Sequence, residues 1–222
     1  MAKKYFRYVP NFDYVNRTSE GQHISDYTLV KNLFKRVKLR EDIFSDLTFF
    51  EKYKVIGDDR PDNVAFEVYG DANLDWVVLL SNNIVNYETE WPMDQQSFDN
   101  YLTNKYGSVE EINATRFFET NEVVDSRNNI IVPRGFEVPE DYTVTFFDVG
   151  INQMVTRSSV SSVSNLEFEE RRENDKRNIF LLKPFYLNVV LDDVEALLPY
   201  TPGSSQYVSE SVVRGDNIRL YQ

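Results

Sequence analysis

The chain opens its most legible stretch with Tyr53-Lys54-Val55-Ile56-Gly57-Asp58. It runs on through Arg60-Pro61, Val64-Ala65 and Val68-Tyr69-Gly70, and closes with Asn73-Leu74-Asp75-Trp76-Val77-Val78-Leu79-Leu80-Ser81-Asn82-Asn83. Tyr53 to Ile56 alternates as a strand does and stops at Gly57-Asp58. Pro61 suits the first turn of a helix, where its missing N–H costs nothing. Val64, Ala65, Val68 and Tyr69 then form an apolar stripe, and Gly70 fills the position past the helix end that tolerates a left-handed backbone. Asn73 is expected to cap a second helix, Leu74 to Leu80, with Trp76, Val77 and Leu80 on one face and Asn82-Asn83 as its stop. The block reads as a tight βαα unit in which Trp76 and Tyr53 belong to the core.

Working outward, Tyr5-Phe6-Arg7-Tyr8-Val9-Pro10-Asn11-Phe12 is dense in rings and broken by proline, and reads as an extended arm that docks on its own body or on a neighbour. Asp26 to Phe34 has helical spacing through Tyr27, Val30, Leu33 and Phe34. A short helical or loop piece follows through Phe44 to Leu47. Beyond the block, Trp91-Pro92 lies in a loop, and Asp94 caps a helix that buries Phe98, Tyr101 and Leu102 and ends at Gly107. Val123-Val124 and Ile130-Ile131-Val132 flank a hairpin turn. Tyr142 to Phe147 is a strand by residue type, and Pro133 and Pro139 mark the strands between as edges. The serine-rich run from Thr156 to Ser164 is a linker or a polar strand. Ser164-Asn165-Leu166-Glu167 is a capping box opening a charged helix, supported by Glu167–Arg171 and Glu173–Arg177 pairs. Asn178 to Leu182 could extend that helix or form a buried strand before Pro184. A last amphipathic helix carries Tyr186, Leu187, Val190, Val194 and Leu197, and a second extended arm follows.

Composition narrows the function. The 222 residues are 41% hydrophobic, enough for a core, and carry a net charge of -12. So acidic a surface repels phosphate backbones. The basic cluster Lys35-Arg36, Lys38 and Arg40 has helical spacing and reads as a solvated face. With no cysteine and one histidine, His23, thiolate zinc sites, disulfides and Cys-His arrangements are excluded. The N-terminus lacks an apolar signal core, and no stretch suits a membrane helix. Fourteen Tyr and 16 Phe favour half-buried, half-wet surfaces of the kind protein partners share. The carboxylate pairs Asp58-Asp59, Glu169-Glu170 and Asp192-Asp193 could in principle serve glycoside hydrolysis. In so acidic a chain such pairs arise by chance, and solvated ion pairs with neighbouring arginines account for Glu169-Glu170. No phosphate-cradling motif is present. Neither an enzyme nor a cofactor or metal site is expected.

The βαα block, with Gly57-Asp58 after the strand and Asn82 closing the second helix, resembles a LysM module. Its motif residues here are Tyr53, Val55, Gly57, Asp58, Pro61, Tyr69, Gly70, Trp76 and Asn82. The wider pattern is Arg60-Pro61, Val68-Tyr69-Gly70-Asp71, Asp75 through Leu80, then Trp91, Phe98 and Tyr106. It resembles the LysM-like baseplate wedge subunit of contractile-tailed bacteriophages, the gene product fifty-three family. The opening Tyr5-Phe6 with Pro10 and the closing Asn174 to Ile179 look like that family's two ends, whereas 119–164 departs from it. The resemblance implies a βααβ core whose second strand is Ile179 to Leu182, paired antiparallel with Tyr53–Ile56. The expected architecture is therefore α+β, a split LysM-like core with a long mixed insertion. Residues 1–50 form an N-terminal docking arm and helices, 51–83 with 177–200 the core, 84–176 the insertion and 201–222 a C-terminal arm.

The function implied is structural. The chain would be a wedge component in several copies, joining neighbouring wedges through other baseplate wedge and hub proteins. It would reside in the virion tail after assembly in the host cytoplasm, without nucleic acid or membrane partners. Tyr5, Phe6, Tyr8 and Phe12 in one arm, and Tyr207, Leu220 and Tyr221 in the other, are the candidate anchors. The alternative is a single LysM-type module holding N-acetylated glycan beside 57–61 and 82–86. A lone module and the missing secretion signal weigh against it.

Overall fold

The structure, a computed structural model, describes residues 4–15, 27–203 and 206–215. It is mixed α+β and forms two compact units, one built from Met1–Trp91 with Asn178–Gln222 and one from Pro92–Arg177. The first unit opens with α1 (Tyr5–Tyr8), β1 (Asn11–Val15), β2 (Tyr27–Lys31) and α2 (Glu41–Phe44). It continues with β3 (Phe50–Lys54), α3 (Pro61–Tyr69), α4 (Asp75–Ser81) and α5 (Tyr87–Glu90). The second unit holds α6 (Gln95–Tyr106), α7 (Val109–Asn113), β4 (Thr115–Thr120), β5 (Val123–Val124) and β6 (Ile130–Val132). After them come β7 (Glu137–Val138), β8 (Val144–Asp148), β9 (Gln153–Arg157), β10 (Val160–Ser164) and α8 (Asn165–Lys176). The chain then returns to the first unit with β11 (Asn178–Leu182), α9 (Leu187–Leu197), β12 (Tyr207–Ser209) and β13 (Val212–Arg214).

Residues 178–182 form a strand. β11 pairs antiparallel with β3, Ile179 opposite Tyr53 and Leu182 opposite Phe50. Ile179, Leu181 and Leu182 are buried on this pair, and Val64, Ala65, Trp76, Val77, Val78, Val190 and Val194 complete the core around it. β3 starts earlier than its alternation suggests and stops at Lys54, because its partner reaches only as far as Asn178; Val55 is buried beyond it and Ile56 exposed. Pro61 opens α3, and Gly70, at φ +75°, ends it by donating its N–H to Phe66. Asn73 is not the cap of the second helix. Asp71 caps a 3-10 turn at Ala72–Leu74 by accepting from the Asn73 N–H, and α4 continues from that turn.

The described parts of both terminal arms, expected to be extended, are folded. Tyr5–Tyr8 makes a single helical turn, and β1 pairs parallel with β13 and antiparallel with β2 in the sheet order β12-β13-β1-β2. The helix expected over Asp26 to Phe34 is instead β2, with Asp26 outside the described residues. Its Tyr-Thr-Leu-Val run suits a strand, and pairing with β1 decides between two short-range readings. Leu33 and Phe34 fall in the turn after it and are exposed, and the basic run from Lys35 to Arg40 is irregular, not helical. α9 buries Val190 and Val194, and Leu198 at its cap, not Leu197, completes that face; Leu197 faces out.

In the second unit Asp94 and Ser164 cap α6 and α8 as their sequences indicate. Phe98 and Leu102 are buried, and Tyr101 only half so. The β5–β6 hairpin turns at Asp125, whose carboxylate accepts from the Arg127 and Asn129 N–H groups. The serine-rich run contributes β10, paired with β4, and β7 is the opposite edge of that sheet. Glu173 pairs with Lys176 on α8, and Glu167 with Arg171.

Candidate docking surface

The side chains of the Tyr53–Asn82 motif hold the first unit together. The Tyr69 hydroxyl donates to the Leu182 carbonyl at 2.8 Å. The Asn82 amide donates to the Val78 and Phe180 carbonyls at 2.9 and 2.8 Å and accepts from the Phe180 N–H at 2.7 Å. Asn82 thus occupies the outer edge of β11, where a third strand would otherwise bond. The Tyr53 hydroxyl donates to Glu67, and burial and that carboxylate push the phenol up to about 12. Gly57, at φ +56°, turns the chain after β3, and Asp58 is exposed beside it. Of the acidic pairs, Asp59 lends its carbonyl to the Trp91 indole at 3.0 Å, and Asp193 pairs with Arg40 at 3.3 Å.

The candidate anchors fall into two groups. Tyr5 and Tyr8 are half-buried over Trp76, ring centroids 5.7 and 5.9 Å away, while Phe6 beside them is exposed. Phe12 lies opposite both Val30 and Val213, and Val213 lies opposite Tyr207, so the two arms share one half-buried row across the four-stranded sheet. A Cβ at Gly215 would collide with the Phe12 ring. Leu220, Tyr221 and His23 lie outside the described residues.

A cavity of about 650 Å³ opens beside Trp76, walled by Phe6, Leu33, Leu79 and Val85. Lys4, Lys35, Arg36 and Asp75 supply its charged groups. Sequence reasoning missed Leu33 and Val85. The signal for them was the apolar pair Leu33-Phe34 set directly against Lys35-Arg36, and a second apolar pair, Ile84-Val85, after the Asn82-Asn83 helix stop.

The second unit hides a feature that the sequence reads as solvated. Glu169 is buried, not a surface ion pair. Its carboxylate accepts from Lys105 at 2.7 Å, Tyr106 at 2.9 Å and Tyr101 at 3.3 Å, with Arg172 at 3.3 Å. Glu119, also buried, takes a forked pair from Arg171 at 2.7 and 2.8 Å. Burial pushes the Glu169 carboxyl up, but the Lys105 and Tyr106 hydrogen bonds and the flanking cations outweigh it and hold the group below its usual range. The Arg171 hydrogen bonds do the same for Glu119.

With both folded-state values lowered, the stability they contribute is present above the ordinary glutamate range and is lost as pH falls through the lower folded values. The urea midpoint of the chain should therefore drop as pH falls below the ordinary glutamate value of about 4.3. Glu169→Gln should flatten that drop, and Glu169→Ala should cost about 2 kcal/mol at neutral pH. A midpoint indifferent to both variants would show the network contributes nothing.

A half-buried aromatic row, an open cavity and large apolar groups left uncovered are features of the kind that protein partners cover. The family description "Base plate wedge protein 53" matches residues 6–133, more than half of the chain. The chain belongs to that family, and its role is a structural one in the baseplate of a phage tail, among other baseplate proteins. The matched span runs from α1 through β6, so it takes in 119–133, part of the stretch expected to depart from the family. No curated protein matches the chain. Among the described residues, no helix is long and apolar enough to cross a membrane.

Proposed function

We propose that the chain joins neighbouring wedge subunits during tail assembly, and that its core is a LysM-like βααβ module split by an inserted unit. Family membership over residues 6–133 carries the reading. The order β3-α3-α4-β11, with Tyr69 and Asn82 fastened to the returning strand, supports the module. Binding would come from apolar side chains seated in partner pockets, with the acidic surface suppressing wrong contacts. Phe6, Phe12 and Tyr207 are the described anchors best placed for this, since Tyr5 and Tyr8 are already committed to Trp76.

The test is electron cryo-microscopy of tails from phage lacking the chain, beside the complemented phage. Separate wedges that fail to close into a ring, restored by complementation, are the expected result. Complete baseplates formed without the chain would overturn the proposal.

A further inference from the structure

Two observations meet at the cavity beside Trp76. The first is its wall, where Leu33, Val85 and Phe6 are 71, 68 and 58% exposed. Single exposed apolar residues are ordinary, but several around one concavity mark a contact surface. The second is charge. Lys4, Lys35 and Arg36 face a single carboxylate, Asp75, so the lining is cationic in a chain of net charge -12. Lys35 and Arg36 are also tethered to the Pro199 and Ile84 carbonyls, which fixes them at the rim.

We propose that this cavity receives an apolar segment flanked by acidic residues, contributed by another protein of the baseplate. The inference rests on the assembly role argued above and deepens it by naming the chemistry of the partner. Apolar side chains on the segment cover Leu33, Leu79 and Val85, and its carboxylates meet the three cations. Such a sign-matched rim selects partners and speeds their encounter.

The test is photo-cross-linking in purified tails. Leu33 and Val85 are replaced in turn by p-benzoyl-phenylalanine, with Phe185, exposed and outside the cavity lining, as the control position. After illumination, mass spectrometry identifies the linked peptide. The expected result is one acidic, apolar segment of a different baseplate protein, linked from Leu33 and Val85 and not from Phe185. Lys4→Glu with Arg36→Glu should leave the urea midpoint near that of the parent chain and lower the cross-link yield by about tenfold or more. A link to a second copy, a link to a segment without acidic residues, a yield unmoved by charge reversal, or no link with the chain present in the tail would each overturn the inference. Absence of the chain from the tail would instead overturn the assembly role.

Discussion

Trp91→Ala is expected to destabilise the chain by about 3–5 kcal/mol, as removal of a large buried ring does. Trp91 is 2% exposed, belongs to the core of the first unit, and stacks on Tyr87 at 6.3 Å. Its indole N–H holds the Asp59 carbonyl, so the ring also anchors the turn between β3 and α3. Trp91→Phe keeps most of the buried area and loses chiefly that bond, so its cost should be nearer 1 kcal/mol. Urea unfolding followed by circular dichroism, with Trp76 as the remaining fluorophore, measures both. Equal losses for the two variants would mean that Trp91 stabilises the fold mainly through its bond to Asp59 and not through ring burial.

Asn82→Ala should cost about 3 kcal/mol, on the reckoning of three hydrogen bonds at about 1 kcal/mol each. It would strip the outer edge of β11 of its partner and expose the Phe180 amide to solvent exchange. Asn82→Asp gives little rescue, since its carboxylate could still accept from the Phe180 N–H but would face two carbonyl oxygens with no proton to offer. Hydrogen exchange at Phe180 reads the contact directly. An amide that stays protected in Asn82→Ala would show that something other than Asn82 closes that edge.

These two residues show what the sequence could and could not convey. Pro61, Gly70, Asp94 and Ser164 act on neighbours within four residues, so their roles are written locally and the structure agrees with them. Asn82 reads correctly as the end of α4, but its bonds to Phe180 cross a gap that no local pattern spans. Tyr27 to Lys31 went to the strand reading only because β1 lies beside it. The pairing of β1 with β13 likewise brings together two segments that each look unfinished alone. Glu169 was misread for a related reason. Its helix alternates charges as a wet face does, and only Lys105, Tyr101 and Tyr106, brought up by α6, bury it. The candidate surface was half visible, in that aromatic density pointed to the N-terminal segment, while the cavity needed Leu33 and Val85 from separate loops.

The interruption between α4 and β11 sets an order of events during synthesis. Every strand pair of the second unit closes within residues 92–177, so that segment can fold as soon as it leaves the ribosome. β3 must wait, because Ile179 is translated more than a hundred residues after Tyr53. The wait has a benefit at its end. Once folded, the second unit brings its own two ends together, the Met93 N–H donating to Glu173 at 3.0 Å and Arg177 reaching the Met93 carbonyl at 3.5 Å. A long, floppy loop becomes a short tether before β3 meets β11, and the entropy of closing it is smaller by that much. The inserted unit thereby acts as a clasp, delivering the late strand to the early one.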